Sequence, residues 1–385
     1  MEKVINETVR NIEISGIRKF YNLVSSRDDI LSLTIGQPDF KTPEAIKKAA
    51  NEAIANDFTT YTPNAGMPSL REAVANYFNT IDQVKLTPEQ VIITVGASQA
   101  IDIACRTLLN PGDEVILPDP VYPGYQPLIE MAGATARLVD TRESNFKLTA
   151  NQIERNITNK TKCVIIPYPS NPTGVSLTKD ELYAIAEVIK KHNLFIISDE
   201  IYSSLTYDCE HYSIARFEQI KDRALIINGL SKSHAMTGWR IGFLLAPTWL
   251  VPHLTKVLQY NVSCASSISQ HAALAAVTVA KDDPKMMRKA YNERRDYVYK
   301  RLTKMGLDVI KPDGAFYFMF RLFDHRPSLE VALDLLNNGK LALVPGDAFG
   351  AAGDGFLRLS YAYSMDTLME GLDRLERYLN MEIKR

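Results

Sequence analysis

Residues 163–200 read CVIIPYPSNPTGVSLTKDELYAIAEVIKKHNLFIISDE, a strand, a helix and a second strand in succession. The runs CVIIP (163–167) and FIISD (195–199) are continuously apolar, which is typical of strands buried on both faces of a parallel sheet. Between them, Thr178 is followed three residues later by Glu181, a capping-box pattern that predicts a helix over 178–191. A strand, a crossover helix and a further strand predict an α/β fold.

Similar runs occur on both sides of this unit. They are VIITV (91–95), VILP (115–118), ARLVD (136–140), ALIIN (224–228) and GFLLA (242–246), with a helix expected over 98–109. Only residues 229–241 separate the last two runs, which is short for a crossover helix, so we expect the last strand to run antiparallel. The prediction is an α/β fold with a mainly parallel seven-stranded sheet flanked by helices.

The pattern changes after about residue 280. A long charged helix is predicted over 284–305, followed by the apolar runs AFYFMF (315–320), LALVP (341–345) and FLRLS (356–360) and a final amphipathic helix over 365–379. This grouping indicates a smaller α+β domain. The first forty residues are too few to form a core alone, so we expect them to pack with the C-terminal part. The predicted division is 1–44 (N-terminal arm and part of the small domain), 45–282 (large domain) and 283–385 (small domain).

Composition excludes several classes of protein. The chain has 385 residues, 46% hydrophobic and 23% charged, which is typical of soluble globular proteins with more than one core. The net charge of −1 gives no basic excess for nucleic acid or an anionic membrane surface. No apolar run approaches the roughly 20 residues of a membrane span, and the N-terminus is charged where a signal peptide is apolar. Isolated cysteines and histidines predict neither disulfides nor a metal site, and we expect a cytoplasmic protein.

The ends of the predicted strands carry candidate binding residues, because ligands of open α/β sheets bind beyond the carboxyl ends of the strands. The small residues Ala97 and Ser98 follow VIITV and could let backbone N–H groups face a phosphate. The alternative is an ordinary turn with Ser98 as the N-cap of the helix. Asn171, held ahead of Pro172, could donate to a ligand oxygen or be a turn residue satisfied by its own backbone.

Four charged residues at strand ends or inside strands are the other candidates. Asp199, which ends an apolar strand, either caps the next segment or pairs with a cationic ligand group. Lys232 follows ALIIN and should have a lowered pKa if it is desolvated, although most loop lysines are solvated. Arg240 suits a phosphate or a surface ion pair, and Arg358 suits a substrate carboxylate or a solvent-facing strand position.

Taken in order, these segments resemble the class I aminotransferases of the fold-type-I pyridoxal-phosphate enzymes. The resemblance covers nearly the whole chain and rests on IGQPDF (35–40), YTPNAGMPSLREA (61–73), GASQA (96–100), DPVYPGY (119–125), YPSNPTG (168–174), SDEIYSSL (198–205), SKSHAMTGWRIG (231–242) and RLSYA (358–362). It implies a pyridoxal 5′-phosphate cofactor and transfer of an amino group between an L-amino acid and a 2-oxo acid by a ping-pong mechanism.

The resemblance also implies roles for individual residues. Lys232 would hold the cofactor as a Schiff base and move the proton, Asp199 would pair with the pyridine nitrogen, and Asn171 and Tyr202 would bind the phenolic oxygen. Tyr122 would stack on the ring.

The remaining implied roles concern the phosphate and the substrate. The phosphate would be held by Ala97, Ser98, Ser231 and Arg240. Tyr61 would reach it from the other subunit, which implies a homodimer with shared active sites. Arg358 would bind the substrate α-carboxylate, with Gly36 and Asn171 nearby.

Two departures from the family pattern bear on the site. Gly229 stands where many relatives have a serine, which removes one phosphate hydroxyl, and no match is found to the second arginine of dicarboxylate-specific relatives. As to the choice of substrate, the chain most resembles enzymes of Bacillus-type bacteria that transaminate N-acetyl-LL-diaminopimelate with 2-oxoglutarate in lysine synthesis. Aromatic or broad-range transamination is the alternative, followed by a carbon–sulfur β-lyase. A cofactor-sensing regulator would need an added DNA-binding domain, for which the motifs leave no room.

Overall fold

A seven-stranded sheet forms the centre of the computed structural model, which describes residues 4–24, 27–322 and 326–382. The strands of the described chain are β1 Leu31–Ser32, β2 Val91–Thr94, β3 Glu114–Asp119, β4 Thr135–Asp140, β5 Thr161–Ile166, β6 Phe195–Asp199, β7 Ala224–Gly229, β8 Gly242–Leu245, β9 Tyr317–Phe320, β10 Leu341–Ala342, β11 Val344–Pro345 and β12 Leu357–Ser360. The α-helices are α1 Glu7–Asn11, α2 Gly16–Val24, α3 Glu44–Ala55, α4 Pro68–Ile81, α5 Gly96–Leu108, α6 Tyr125–Met131, α7 Ala150–Asn156, α8 Lys179–His192, α9 Leu230–Ser233, α10 Val251–Val262, α11 Ser267–Val277, α12 Pro284–Lys304, α13 Ser328–Asn338 and α14 Met365–Glu382.

The strand order in the central sheet is β2-β8-β7-β6-β5-β3-β4. All neighbours pair in parallel except β8, which runs antiparallel to both β2 and β7. All seven predicted strands are therefore confirmed, as are the mainly parallel sheet and the antiparallel direction of the last strand. The parallel order brings the carboxyl ends of β3, β5, β6 and β7 to one edge of the sheet.

Both faces of the sheet are covered by helices, which explains the continuous apolar runs. In β5, Val164 and Ile166 pack into one hydrophobic cluster, while Cys163 and Ile165 pack into the cluster on the opposite face. Side chains of successive strand residues point to opposite faces, so a strand buried on both sides carries few polar residues.

A third hydrophobic cluster joins the two ends of the chain. It contains Phe20 and Leu33 from the N-terminal segment together with Phe316, Leu359 and Leu375. The antiparallel sheet β11-β12-β9 lies in this part, and β1 pairs in parallel with β10. The N-terminal segment thus packs against the C-terminal part, while the domain boundaries near residues 44 and 282 stay predictions.

Two local predictions were wrong in detail. The helix expected over 98–109 begins at Gly96 and its N-cap is Val95, so Ser98 lies in the first turn and is not the N-cap. The run LALVP is not one strand, because β10 and β11 pair with different partners on either side of Leu343. The capping box of Thr178 and Glu181 at the start of α8 is confirmed. Among the described residues, no helix has both the length and the apolarity that a membrane crossing requires.

Candidate active site

One cavity of about 630 Å³ lies where the carboxyl ends of β5, β6 and β7 meet β12 and the segments 15–21 and 34–37. It brings together eleven of the twelve predicted site residues: Gly36, Ala97, Ser98, Tyr122, Asn171, Asp199, Tyr202, Ser231, Lys232, Arg240 and Arg358. The twelfth, Tyr61, does not line the cavity of this subunit and is 88% exposed. Residues that are far apart in the sequence therefore converge on one volume of a size that holds a small ligand.

Lys232 lies in the short helix α9, directly after β7. Its Nζ donates a hydrogen bond to the backbone oxygen of Gly36 at 2.6 Å. Burial, followed by the nearby charges of Arg358 and Arg240, lowers the pKa of Lys232 from 10.5 to about 8. A shift of this size raises the neutral fraction of the amine near pH 7 roughly 300-fold. The amine can therefore act as a nucleophile and as a base.

Asp199 ends β6 and turns its carboxylate into the cavity. One oxygen, Oδ2, accepts a hydrogen bond from the Tyr125 hydroxyl at 2.7 Å, and Oδ1 accepts one from the backbone N–H of Ile201 at 3.1 Å. Burial raises the pKa of Asp199 to about 6, although both hydrogen bonds act to lower it. The carboxylate has no ion pair with any residue that the structure describes. A cationic ring nitrogen placed against it would remove the cost of leaving this charge unpaired.

Arg358 is 1% exposed and lies in the middle of a strand, so the solvent-facing alternative is wrong. Its guanidinium donates to Asn171 Oδ1 at 2.9 Å and to the backbone oxygen of Thr34 at 2.6 Å, and it lies 4.5 Å from the centre of the Tyr317 ring. Its buried Nε has no hydrogen-bond partner. No carboxylate among the described residues forms an ion pair with Arg358. A fork of free N–H donors at a cavity wall suits an anionic carboxylate.

The opposite end of the cavity suits a phosphate. Ala97 and Ser98 lie in the first turn of α5, where backbone N–H groups and the helix dipole favour an anion. Arg240 approaches this turn closely, since a Cβ added at Gly96 would meet its guanidinium at 2.5 Å. Arg240 donates one hydrogen bond, to the backbone oxygen of Thr237. Together with the hydroxyls of Ser98 and Ser231, these donors match a phosphate monoester.

Aromatic side chains form the walls between the two ends. The Tyr202 and Tyr317 hydroxyls lie 2.9 Å apart, and Tyr122 packs edge-on against Tyr125 with ring centres 5.6 Å apart. A flat ligand that bears a ring nitrogen, a phosphate and a group reactive toward an amine fits this arrangement of Asp199, the α5 turn and Lys232.

Three residues of the site were missed in the sequence. Tyr125 binds Asp199, Tyr317 contacts both Tyr202 and Arg358, and the backbone of Thr34 accepts from Arg358. Tyr125 lies three residues after Tyr122 in the segment DPVYPGY, which the sequence had already singled out, so that motif could have indicated it. Tyr317 could have been found only from the pairing of β9 with β12, because that register sets it opposite Ser360, two residues along the strand from Arg358 and on the same face.

Close contacts with the neighbouring backbone explain why position 229 is a glycine. A Cβ added there would lie 3.0 Å from the backbone oxygen of Ile241 and 3.1 Å from Cα of Gly242. A serine would therefore require the backbone at Ile241 and Gly242 to move by a few tenths of an ångström.

The sequence matches the family model of class I and II aminotransferases over residues 28–375. The chain belongs to this family. It is therefore an aminotransferase, and class I aminotransferases use pyridoxal phosphate. The predicted family, fold class and enzyme class are confirmed.

Relatives of different substrate classes match along nearly the whole chain. A probable N-acetyl-LL-diaminopimelate aminotransferase of Bacillus subtilis is 56% identical, covering 98% of this chain and 96% of the relative. Aromatic-amino-acid aminotransferase 2 of Thermococcus litoralis is 40% identical over 97% and 98% of the two chains. The solved structure of Thermus thermophilus aspartate aminotransferase with maleate has a TM-score of 0.92 and 36% identity, covering 97% and 99%.

Proposed function

We propose that this aminotransferase binds pyridoxal 5′-phosphate in the cavity around Lys232 and moves the amino group of N-acetyl-LL-diaminopimelate to 2-oxoglutarate in lysine biosynthesis. The observation that carries the cofactor and the reaction type is the placement of Lys232 between an unpaired buried carboxylate, Asp199, and an unpaired buried cation, Arg358. The similarity to the Bacillus subtilis relative supports the choice of amino donor.

When bound, the cofactor supplies an electron-withdrawing ring that stabilises negative charge at the substrate Cα. Asp199 would keep the ring nitrogen protonated, and Tyr125 and the Ile201 N–H hold the Asp199 carboxylate in place. Asn171 and Tyr202 would bind the phenolic oxygen, and Tyr122 would cover the ring face. The phosphate would be held by Ala97, Ser98, Ser231 and Arg240.

The substrate is oriented by Arg358, which binds its α-carboxylate while Asn171 and the Thr34 backbone fix the guanidinium. Lys232, as a neutral amine, would take the Cα proton of the bound substrate and hold it for return later in the reaction, as a positioned general base does. The pKa of about 8 makes the neutral amine accessible near physiological pH. The second substrate, an oxo acid, is bound by the same Arg358, so ping-pong kinetics follow.

We infer a cytoplasmic homodimer in which Tyr61 reaches the phosphate of the partner subunit. Its side chain is almost fully exposed in one subunit, and Tyr260 is exposed to the same extent. This exposure leaves the Tyr61 side chain available to a partner subunit, as the resemblance to class I aminotransferases implies. The cytoplasmic location follows from the proposed co-substrates, which are cytoplasmic metabolites.

The substrate is tested by comparing kcat/KM for N-acetyl-LL-diaminopimelate, aspartate and phenylalanine, each with saturating 2-oxoglutarate. The highest value is expected for N-acetyl-LL-diaminopimelate, with glutamate formed in equal amount to the donor consumed. A higher value for phenylalanine would replace the proposal with aromatic transamination. Release of pyruvate and ammonia from cystathionine without an oxo acid would replace it with the β-lyase.

A further inference from the structure

A second cavity, of about 880 Å³, lies behind the active site. The segment that follows β6 forms part of the wall of both cavities. Asp199, Ile201 and Tyr202 line the active site, whereas Ser203, Ser204 and Thr206 line the second cavity. The segment thus separates the two cavities, and no residue named in the proposed reaction lines the second one.

Asp82 is the feature of this cavity that points to a ligand. It follows α4, lines the cavity and is only 7% exposed. Its carboxylate forms no hydrogen bond and no ion pair with any residue in the described part of the chain. Burial raises the pKa of Asp82 to about 7. An unpaired carboxylate in such a position is costly unless a cationic group compensates it.

The neighbouring buried charges already have partners. Glu200 is 1% exposed, its Oε2 lies 3.0 Å from Nε2 of His211, and its Oε1 accepts from the hydroxyls of Ser198 and Ser213. Burial acts to lower the pKa of His211, but the adjacent Glu200 raises it above its usual value. His211 therefore pairs directly with Glu200, whereas Asp82 has no directly bonded partner among the described residues. His211 and Arg216 act to lower the pKa of Asp82 only through longer-range electrostatics.

Arg216 does not form an ion pair with Asp82 among the described residues either. Its guanidinium stacks on the Tyr212 ring at 4.0 Å and donates to Gln83 Oε1 at 3.1 Å. It lies in the wall of the cavity, but no ion pair joins it to Asp82 within the described residues. A cation bound beside Asp82, at what we call the floor of the cavity, would give this carboxylate the direct partner that the described residues do not provide.

The rim of the cavity presents charges of both signs. Lys285 is paired with Asp282 at 2.6 Å. Lys281 and Arg288 are exposed and, among the residues described, have neither a hydrogen bond nor an ion pair. Glu72, also at the rim, is similarly exposed and unpaired. Such a rim matches a group that carries both an ammonium and a carboxylate.

We propose that the second cavity binds a basic amino acid, with its side-chain ammonium or guanidinium on Asp82 and its α-carboxylate on Lys281 and Arg288. An anion is repelled from the floor by Asp82, and a neutral ligand would leave that carboxylate unpaired. The volume lies within the range of small-molecule sites and admits such a ligand together with water.

Agmatine, which is arginine without its carboxylate, tests the floor of the cavity by calorimetric titration of the cofactor-loaded enzyme. Arg358 cannot hold this probe, and the visible band of the cofactor reports any reaction at Lys232. Saturable binding on the order of 1 mM or tighter is expected, with the band unchanged. Absence of saturable heat, or loss of the band with the heat, would overturn the proposal.

Variants test the two ends of the proposed binding site separately, Asp82 at one end and Lys281 and Arg288 at the other. Asp82→Asn is expected to weaken agmatine roughly tenfold or more, whereas Glu210→Gln, which removes an exposed carboxylate from the same cavity, should leave it unchanged. The double variant Lys281→Gln/Arg288→Gln should weaken L-arginine but not agmatine. Since both of its positions are exposed, it remains informative if Asp82→Asn does not fold. Equal binding of agmatine by wild type and Asp82→Asn, or of L-arginine by wild type and the double variant, contradicts the assignment.

Discussion

Two arginines, Arg295 and Arg358, are the largest fully buried side chains among the described residues, and their surroundings differ. Arg295, in α12, lies 3.0 Å from the Asp208 carboxylate and 2.8 Å from that of Asp296, and it donates to the backbone oxygen of Pro312. Arg358, in β12, has only neutral acceptors within the described part of the chain, Asn171 and the Thr34 backbone. The two carboxylates help raise the pKa of Arg295 above its usual value, whereas burial lowers that of Arg358.

Arg295 is thus a cation that stabilises the fold, whereas Arg358 is a cation that is available to a ligand. A buried charge with no counter-charge costs several kcal/mol of folding free energy, and a partner inside the fold offsets that cost. Arg295 has such partners, but Arg358 lacks them and lines the active-site cavity. We therefore expect the substrate carboxylate to be the missing partner of Arg358.

The largest loss of activity should come from substitution of Lys232, the amine beside Arg358. Lys232→Ala removes the proposed base and the attachment point of the cofactor, so we expect transamination to fall by at least about 10⁴-fold. Lys160→Ala, at an exposed position, is the matched control and should retain full activity. Product formation is measured with glutamate as donor, and the mass of the variant is checked. Normal turnover of Lys232→Ala would refute the assignment of the site.

Substitution of the unpaired arginine should separate activity from stability. Arg358→Met is expected to lower kcat/KM by about 10²- to 10⁴-fold, because two charge-assisted hydrogen bonds to the carboxylate are lost. The free energy of unfolding should stay within about 1 kcal/mol or rise, since a buried unpaired charge is removed. Kinetics and urea unfolding of the cofactor-free protein measure both quantities. Arg358→Lys keeps the positive charge but loses the two parallel N–H donors of the guanidinium, so its kcat/KM should lie between those of wild type and Arg358→Met.

The paired arginine should show the reverse pattern. Arg295→Met removes a partner of Asp208 and Asp296, which keep Lys311 as a second one, and it removes the donor to Pro312. We therefore expect a loss of about 2–4 kcal/mol in the free energy of unfolding. The kcat/KM of the folded fraction should change by no more than about threefold. A large loss of kcat/KM with unchanged stability would show that the comparison assigns the two arginines wrongly.

The smallest effect is a shift in pH dependence. Since the attacking amine must be neutral, the rate at which pyridoxal 5′-phosphate attaches to Lys232 should rise with pH and level off above about 8. Arg358 is one of the charges that lower this pKa, so Arg358→Met should move the curve to higher pH. Arg295→Met should not move it. Stopped-flow absorbance between pH 6 and 10 measures the curve, and an unmoved curve in Arg358→Met would contradict the proposed coupling.

The large sheet was predictable because each of its strands carries its own signal. Continuous apolar runs bounded by polar residues mark β2 to β8, and the short interval 229–241 indicates the antiparallel direction of β8. The C-terminal part was less predictable. The run 341–345 is apolar throughout, yet it divides between two sheets because β1 and β12 approach it from different sides.

The candidate site was predictable where a residue follows a strand or belongs to a family motif. Asp199 and Lys232 are examples, and the structure brings both into one cavity. The contacts of Arg358 could not be predicted, because they come from residues more than 180 positions away in the sequence. Its lack of a counter-charge depends on which carboxylates are absent nearby, and only the folded chain shows this.

The proposed reaction requires Arg358 and Lys232 to act together on an amino acid bound to the cofactor. This requirement is tested by the visible absorbance of the cofactor-loaded wild type, Arg358→Met and Arg295→Met during addition of glutamate and then 2-oxoglutarate. Wild type and Arg295→Met are expected to lose the band with glutamate and to regain it with the oxo acid, whereas Arg358→Met should need at least about 100-fold more glutamate. An equal response of Arg358→Met and wild type would contradict it.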